Sequence, residues 1–278
     1  MVTIRKHPEL TDYFLENPAT RAEASSIVEP YEAGKVIVFP QLKLDIDHDF
    51  WAALPSDEAK DLKKLRVRGE EGRIARQDLG WGLSEEVDRQ TRALYEQLLP
   101  VYLKLFEPYR YVDKVGVLRL NRLVGLSMHI DSYAEAIPTH HARMFVNLDN
   151  QPRIWHTSYT AQEALEVSRS KFTRAEHETL SGVEWWKALR YRTFGGLDPT
   201  EFWDANPRHI CLFEPGDVWV VDSRQVGHQV FYGRRALTID FTVDPASMLN
   251  PRRHYLARVE DLRRGALAED LTAEKAVA

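Results

Sequence analysis

The stretch EPGDVWVVDSRQVGHQVFYGRRALTIDFTV constrains the architecture of this chain most. Its apolar, β-branched runs VWVV, HQVFY and RALTIDFTV are separated by short turn-like connections. A parallel crossover needs about a dozen residues or more, so runs this close read as members of an antiparallel set. The chain is therefore built around an antiparallel sheet, and His228 opens the middle strand of that set.

Other segments extend the pattern. KVGVLRLNRL, ARMFVNL, PRIWHTSY and RHICLF are strand-like, and GKVIVFPQLKLDI (34–46) reads as a strand broken at Pro40. Residues 1–30 read as polar with short helical patches. A helical support is expected over about 50–110. Within it, Ser56 would cap a charged helix whose solvated face spans 56–76. Ser84 would cap a second helix over 84–109, in which Val87, Leu94, Leu98, Val101 and Leu105 recur at helical spacing. Pro100 should kink or divide that helix. A helical insert is expected over about 160–205 and a C-terminal helix over about 251–270. Strands on both sides of the insert predict an α+β fold with a mainly β core, a sandwich or barrel flanked by helices. With no linker or repeat, residues 1–278 read as one domain.

Composition narrows the function classes. A net charge of −5 without a Lys/Arg run gives no footprint for nucleic acid. The single cysteine, Cys211, allows no intrachain disulfide, and its apolar setting HICLF makes it a packed core thiol. The N-terminus lacks an apolar secretory stretch, and no apolar run approaches the roughly 18 residues of a membrane span. The chain is expected to be cytoplasmic and to act on a small molecule; its oligomeric state is not legible.

In LSMHIDSY, His129 and Asp131 are separated by one residue, so on an extended backbone both project to one side. Alone, the pair reads as a hydrogen-bonded dyad. With His228 on a strand it becomes two imidazoles and a carboxylate, a facial ligand set that suits Fe(II) and keeps open positions for co-substrate and oxygen. His129, Asp131 and His228 are therefore the candidate metal ligands and catalytic residues. His140 and His141 read as surface or supporting groups, Trp155 and Trp219 as core aromatics, Tyr133 as a packing residue or pocket-mouth group. Asn147 reads equally as a site neighbour or a backbone partner.

HID followed by GDVWVVDSRQVGHQVFYGRRALTIDF resembles the Fe(II)/2-oxoglutarate-dependent oxygenases. EPYEAGKVIVFPQL, HIDSYAEAIPTHHARMFVNLDNQPRIWHTS and MLNPRRHYLARVEDLRRGALA extend the likeness along most of the chain to the Kdo 3-hydroxylases, which act on a 3-deoxy-octulosonic sugar acid. The resemblance implies a double-stranded β-helix (jelly roll). It also implies Fe(II), 2-oxoglutarate and O2 as cofactors, with ascorbate as an accessory reductant. In that family an Arg or Lys beyond the distal His grips the far carboxylate of 2-oxoglutarate. Arg234 is the nearest match, and alternation puts it on the face opposite Leu237 and Ile239. Arg143 is a second candidate for that carboxylate or a substrate's, and Arg235 is a third for anion binding. Asp131 in the second ligand position implies hydroxylation rather than halogenation.

The implied reaction is hydroxylation of an unactivated C–H of a small, polar, carboxylate-bearing substrate, a sugar acid such as Kdo. A free amino acid or natural-product intermediate would need the same features. Contact with a membrane surface follows only if the sugar is lipid-linked. Two other classes use similar ligands: a non-catalytic cupin-like metal module, and a zinc hydrolase. The former needs no arginine after the third ligand, and the latter ordinarily carries a base near a ligand, as in H-E-x-x-H, which is absent.

Overall fold

A computed structural model describes residues 2–54, 64–68, 72–74, 85–120, 123–131, 139–195 and 206–277. In chain order the strands are β1 (Thr3–Arg5), β2 (Phe14–Glu16), β3 (Val36–Val38), β4 (Lys64–Arg68), β5 (Arg73–Ile74), β6 (Tyr111–Arg119) and β7 (Leu123–Val124). They continue with β8 (His140–Asn147), β9 (Arg153–Thr160), β10 (His209–Phe213), β11 (Val218–Val220), β12 (Val226–Gly233) and β13 (Ala236–Val243). The helices are α1 (Val28–Glu32), α2 (His48–Ala53), α3 (Glu85–Leu105), α4 (Ala161–Ser168), α5 (Arg174–Thr179), α6 (Gly182–Phe194) and α7 (Tyr255–Val277).

Among the described residues the strands form two sheets, ordered β2-β3-β11-β8-β13-β6-β4-β5 and β1-β10-β9-β12-β7. All pairings are antiparallel except β2 with β3. The sheets face each other across Phe145, Trp155, Phe213, Trp219 and Val230, as expected of a jelly roll. Trp155 and Trp219 are core aromatics as read from the sequence, the latter stacked on Phe213 at 3.8 Å between centroids. Cys211 lies in the same core, where burial pushes its thiol up to about 12 and leaves it no nucleophile.

The larger sheet has two buried faces, so β8 is buried at every position. Ala142, Met144 and Val146 join Leu237, Ile239 and Phe241 in packing against Leu94, Leu98, Val101 and Leu105 of α3. The alternate residues, Arg143 and Phe145 on β8 and Ala236 and Thr238 on β13, face the cavity between the sheets. The period-two pattern of RALTIDF thus assigns the two faces of β13 correctly. A third apolar cluster joins Trp185, Trp186 and Leu189 of α6 to Tyr255 and Val259 of α7. Capping boxes at Thr160, Thr173 and Ser181 start the three insert helices.

Three local expectations are corrected. The first residues contribute strands β1 and β2, not helical patches, because each is recruited by pairing to a sheet edge. The charged segment expected as a helix over 56–76 includes β4, which pairs with β6 and β5; its KLRVR alternation buries Val67 and leaves Arg66 and Arg68 out. The strand expected over 34–46 is confined to β3. Helix α3 runs through Pro100 without division; Ser56, Ser84 and Tyr133 lie outside the described residues. No helix among the described residues is long and apolar enough to cross a membrane.

Candidate metal centre and anion cavity

His129 and His228 sit opposite each other in an antiparallel bridge, exchanging backbone hydrogen bonds of 3.0 and 2.8 Å. Asp131 is fixed by its own N–H, which donates to the Ser223 carbonyl at 3.0 Å. One potential ligand atom from each of His129, Asp131 and His228 lies within 4.8 Å of the others. His129 Nε2 is 3.5 Å from Asp131 Oδ1. Each imidazole engages its Nδ1 with a backbone carbonyl two residues back, Ser127 for His129 (2.8 Å) and Val226 for His228 (3.2 Å). That bond fixes the Nδ1–H tautomer and leaves Nε2 as the lone-pair nitrogen. Two such nitrogens and a carboxylate are the donor set of a divalent first-row metal, and they fit one.

The electrostatics suit the task. Burial, reinforced by repulsion from His129, lowers His228 to about 4, so it is neutral near pH 7. Burial alone would raise Asp131, but His129, His228 and Arg143 outweigh it and hold the carboxyl well below its usual range. Its Oδ2 accepts from Arg143 Nη1 and Ser223 Oγ, both at 2.6 Å. Arg143 continues to Asp240 Oδ2 (2.9 Å), and Asp240 Oδ1 pairs with His141 Nδ1 (2.9 Å). His141 therefore supports the centre at a distance. His140 is buried away from it, between Tyr109 and Arg224. Asn147 donates to the Gln151 and Phe213 carbonyls, the backbone role of its two readings.

The triad opens into a cavity of about 250 Å³ lined by Arg119, Arg143, Arg153, Trp155, Ser223 and Thr238, among others. The three arginines bring more positive charge than Asp131 and Asp240 balance. Arg119 and Arg153 form no ion pair with a carboxylate among the described residues, and burial and mutual repulsion lower Arg153 to about 9. Arg153 Nε, Trp155 Nε1 and Thr238 Oγ1 are buried without hydrogen-bond partners among the described residues. Orphaned buried donors beside surplus positive charge mark an anion site. Arg153 reaches its place because Gly233 has no side chain: a Cβ there would lie 2.9 Å from Arg153 Cζ.

Arg234 and Arg235 do not line this cavity. Arg234 precedes β13, where strand alternation no longer holds, and forms a bidentate pair with Asp149 at 2.7 and 2.6 Å. Arg235 is buried and donates to the Trp51, Leu54 and Leu120 carbonyls, tying α2 to the sheet. The sequence reading missed Arg119 and Arg153. A signal existed: in PRIWHTSY, Arg153 is two residues before the inward Trp155, hence on the same face.

A second cavity of about 570 Å³ meets the first at His129 and is lined by Ser127, Met128, Lys187, Arg190, Tyr191 and Phe194. Phe194, at the end of α6, reaches the backbone beside His228 because residue 227 is glycine; a Cβ there would fall 2.6 Å from the ring.

No protein-family model and no curated protein matches the sequence. Solved structures do. The Kdo hydroxylase KdoO, a non-heme Fe(II) α-ketoglutarate-dependent dioxygenase, is matched in its cobalt(II) complex with a TM-score of 0.66 at 18% identity. That match covers 90% of this chain and 95% of the other. The complex of the same protein with α-ketoglutarate and Fe(III) is matched with a TM-score of 0.65 at 18% identity, covering 89% and 95%. This chain has the Kdo hydroxylase fold. The α+β jelly roll and the structural likeness expected from the sequence are both found, in a diverged form.

Proposed function

We propose that this protein is an Fe(II)- and 2-oxoglutarate-dependent dioxygenase that hydroxylates an unactivated C–H of a small, carboxylate-bearing substrate, a sugar acid such as Kdo. Residues 1–278 would form one oxygenase domain acting in the cytoplasm. The observation that carries the reading is the union of a His129/Asp131/His228 donor set with a cavity in which two guanidinium groups, Arg119 and Arg153, form no carboxylate ion pair among the described residues. A bare metal module has no use for the second feature. A zinc hydrolase would need a general base, and among the described lining residues the sole carboxylate is Asp131 itself.

In this reading His129, Asp131 and His228 would hold the Fe(II). Arg153 and Arg119, in place of Arg234, hold the distal carboxylate of 2-oxoglutarate by charge-assisted hydrogen bonds. Arg143 and Ser223 keep Asp131 ionised and oriented, and Trp155, stacked on His228 with centroids 5.7 Å apart, shields that imidazole from water. Bound Fe(II) would supply dioxygen activation, one oxygen atom entering the substrate as hydroxyl and the other converting 2-oxoglutarate to succinate and CO2.

The test is anaerobic addition of Fe(II) and 2-oxoglutarate, followed by a succinate-release screen over sugar acids and amino acids. A weak visible charge-transfer band and acid-stimulated succinate release are expected. No band, together with tightly retained zinc, would instead favour a hydrolase or a sensor.

A further inference from the structure

The two cavities that meet at His129 are charged by different arginines, and the second set has no role in holding 2-oxoglutarate as assigned above. Arg190 lines only the larger cavity, Arg119 and Arg153 only the smaller. Arg190 is half-buried, its Nε is buried without a hydrogen-bond partner, and it forms no ion pair among the described residues. It stands close enough to the triad for its charge to act on both His129 and Asp131. Lys187 lies one helical turn earlier and faces the same space, and no carboxylate lines that space among the described residues. The remaining wall is mixed: Met128 and Phe194 offer apolar surface, Ser127 and Tyr191 offer hydroxyls. A volume of about 570 Å³ accommodates a small molecule, whereas 250 Å³ leaves little beyond a dicarboxylate of 2-oxoglutarate size.

From this division we propose that Arg190, assisted by Lys187, anchors the anionic group of the substrate, a carboxylate or a phosphate. Its carbon skeleton then lies along Met128 and Phe194 toward His129. The proposal rests on the reading of His129, Asp131 and His228 as the reaction centre. It makes α6 the element that selects the substrate. It also confines attack to carbons at a set offset from the acid group. A guanidinium half out of water binds an anion more strongly than an exposed one, and a neutral sugar would leave it unpaired.

The experiment has two arms on full-length protein. First, Fe(II) enzyme is titrated anaerobically with 2-oxoglutarate in wild type, Arg190→Gln and Arg153→Gln, following the charge-transfer band. Arg190→Gln should retain the wild-type affinity, while Arg153→Gln weakens it about tenfold or more. Second, with 2-oxoglutarate bound, heats of binding are measured for Kdo and gluconate (carboxylates), glucose 6-phosphate (phosphate) and glucose (neutral). At least one acid should bind wild type, bind Arg190→Gln about tenfold more weakly, and exceed glucose; which acid it is separates carboxylate from phosphate. The proposal is overturned if Arg190→Gln weakens 2-oxoglutarate as Arg153→Gln does. Equal binding of acids to variant and wild type, or no binding of any acid to wild type, overturns it too. Failure of the dioxygenase reading is a different result, namely no band in wild type. The second arm is then run without 2-oxoglutarate, and the dependence of acid binding on Arg190 decides the matter.

Discussion

Arg143 donates to Asp131 Oδ2 over 2.6 Å, so that Oδ1 is the oxygen toward His129 Nε2, 3.5 Å away. The pairing divides the carboxylate between two tasks, one oxygen for support and one for a metal. Asp131→Ala should therefore abolish iron-dependent hydroxylation and lower the iron retained after dialysis. Unchanged succinate release and product formation would sink the assignment.

Ser223 shares the supporting task. Ser223→Ala removes the hydroxyl 2.6 Å from Asp131 Oδ2 but leaves the backbone carbonyl that holds the Asp131 N–H. Affinity for Fe(II) or Co(II) should fall about tenfold, at the lower end of losses seen when groups behind a metal ligand are removed. A competition titration against a chelator measures it, and melting should change little.

The arginines separate by place. Arg153→Gln should raise KM for 2-oxoglutarate about tenfold or more, since a charge-assisted contact contributes roughly 1.5–3 kcal/mol. Gly233→Ala, which crowds the same guanidinium, should raise that KM in the same direction. Arg234→Gln should leave it near wild type, because Arg234 is paired with Asp149 and does not line the cavity. A large KM change in Arg234→Gln alone would reverse these assignments.

Burial gives a pH dependence of stability. Desolvation, aided by the Arg224 charge and opposed by Asp222, lowers His140 to about 3. An unfolded histidine titrates near ~6.5, so below that pH the unfolded state takes a proton that the folded state refuses. Stability should therefore decline as pH falls from about 6.5 toward 3, by up to about 1.4 kcal/mol per pH unit from this group. Urea unfolding at stepped pH should show that component in wild type and its loss in His140→Gln.

The candidate metal ligands were legible in the sequence because the period-two rule puts His129 and Asp131 on one side and His228 opens a strand-like run. The apolar alternation of β13 likewise gave its buried face. What sequence could not give was where alternation stops. Arg234 follows the pattern of Ala236 and Thr238 on paper, yet the turn before β13 releases it to Asp149. Arg119 and Arg153 were hidden for the opposite reason: they lie in strands that read simply as apolar, and only the meeting of β6 with β9 across two sheets makes them a pair. The strands β1 and β2 are too short to carry a period and exist through pairing alone.

The missing side chain at Gly227 seats Phe194 of α6 directly on the strand that presents His228. Anyone transplanting a different helical insert to alter what this protein accepts would thus be rebuilding the floor beneath a candidate metal ligand as well. A chimaera would need to carry Phe194, or an equally flat ring, along with its new helix.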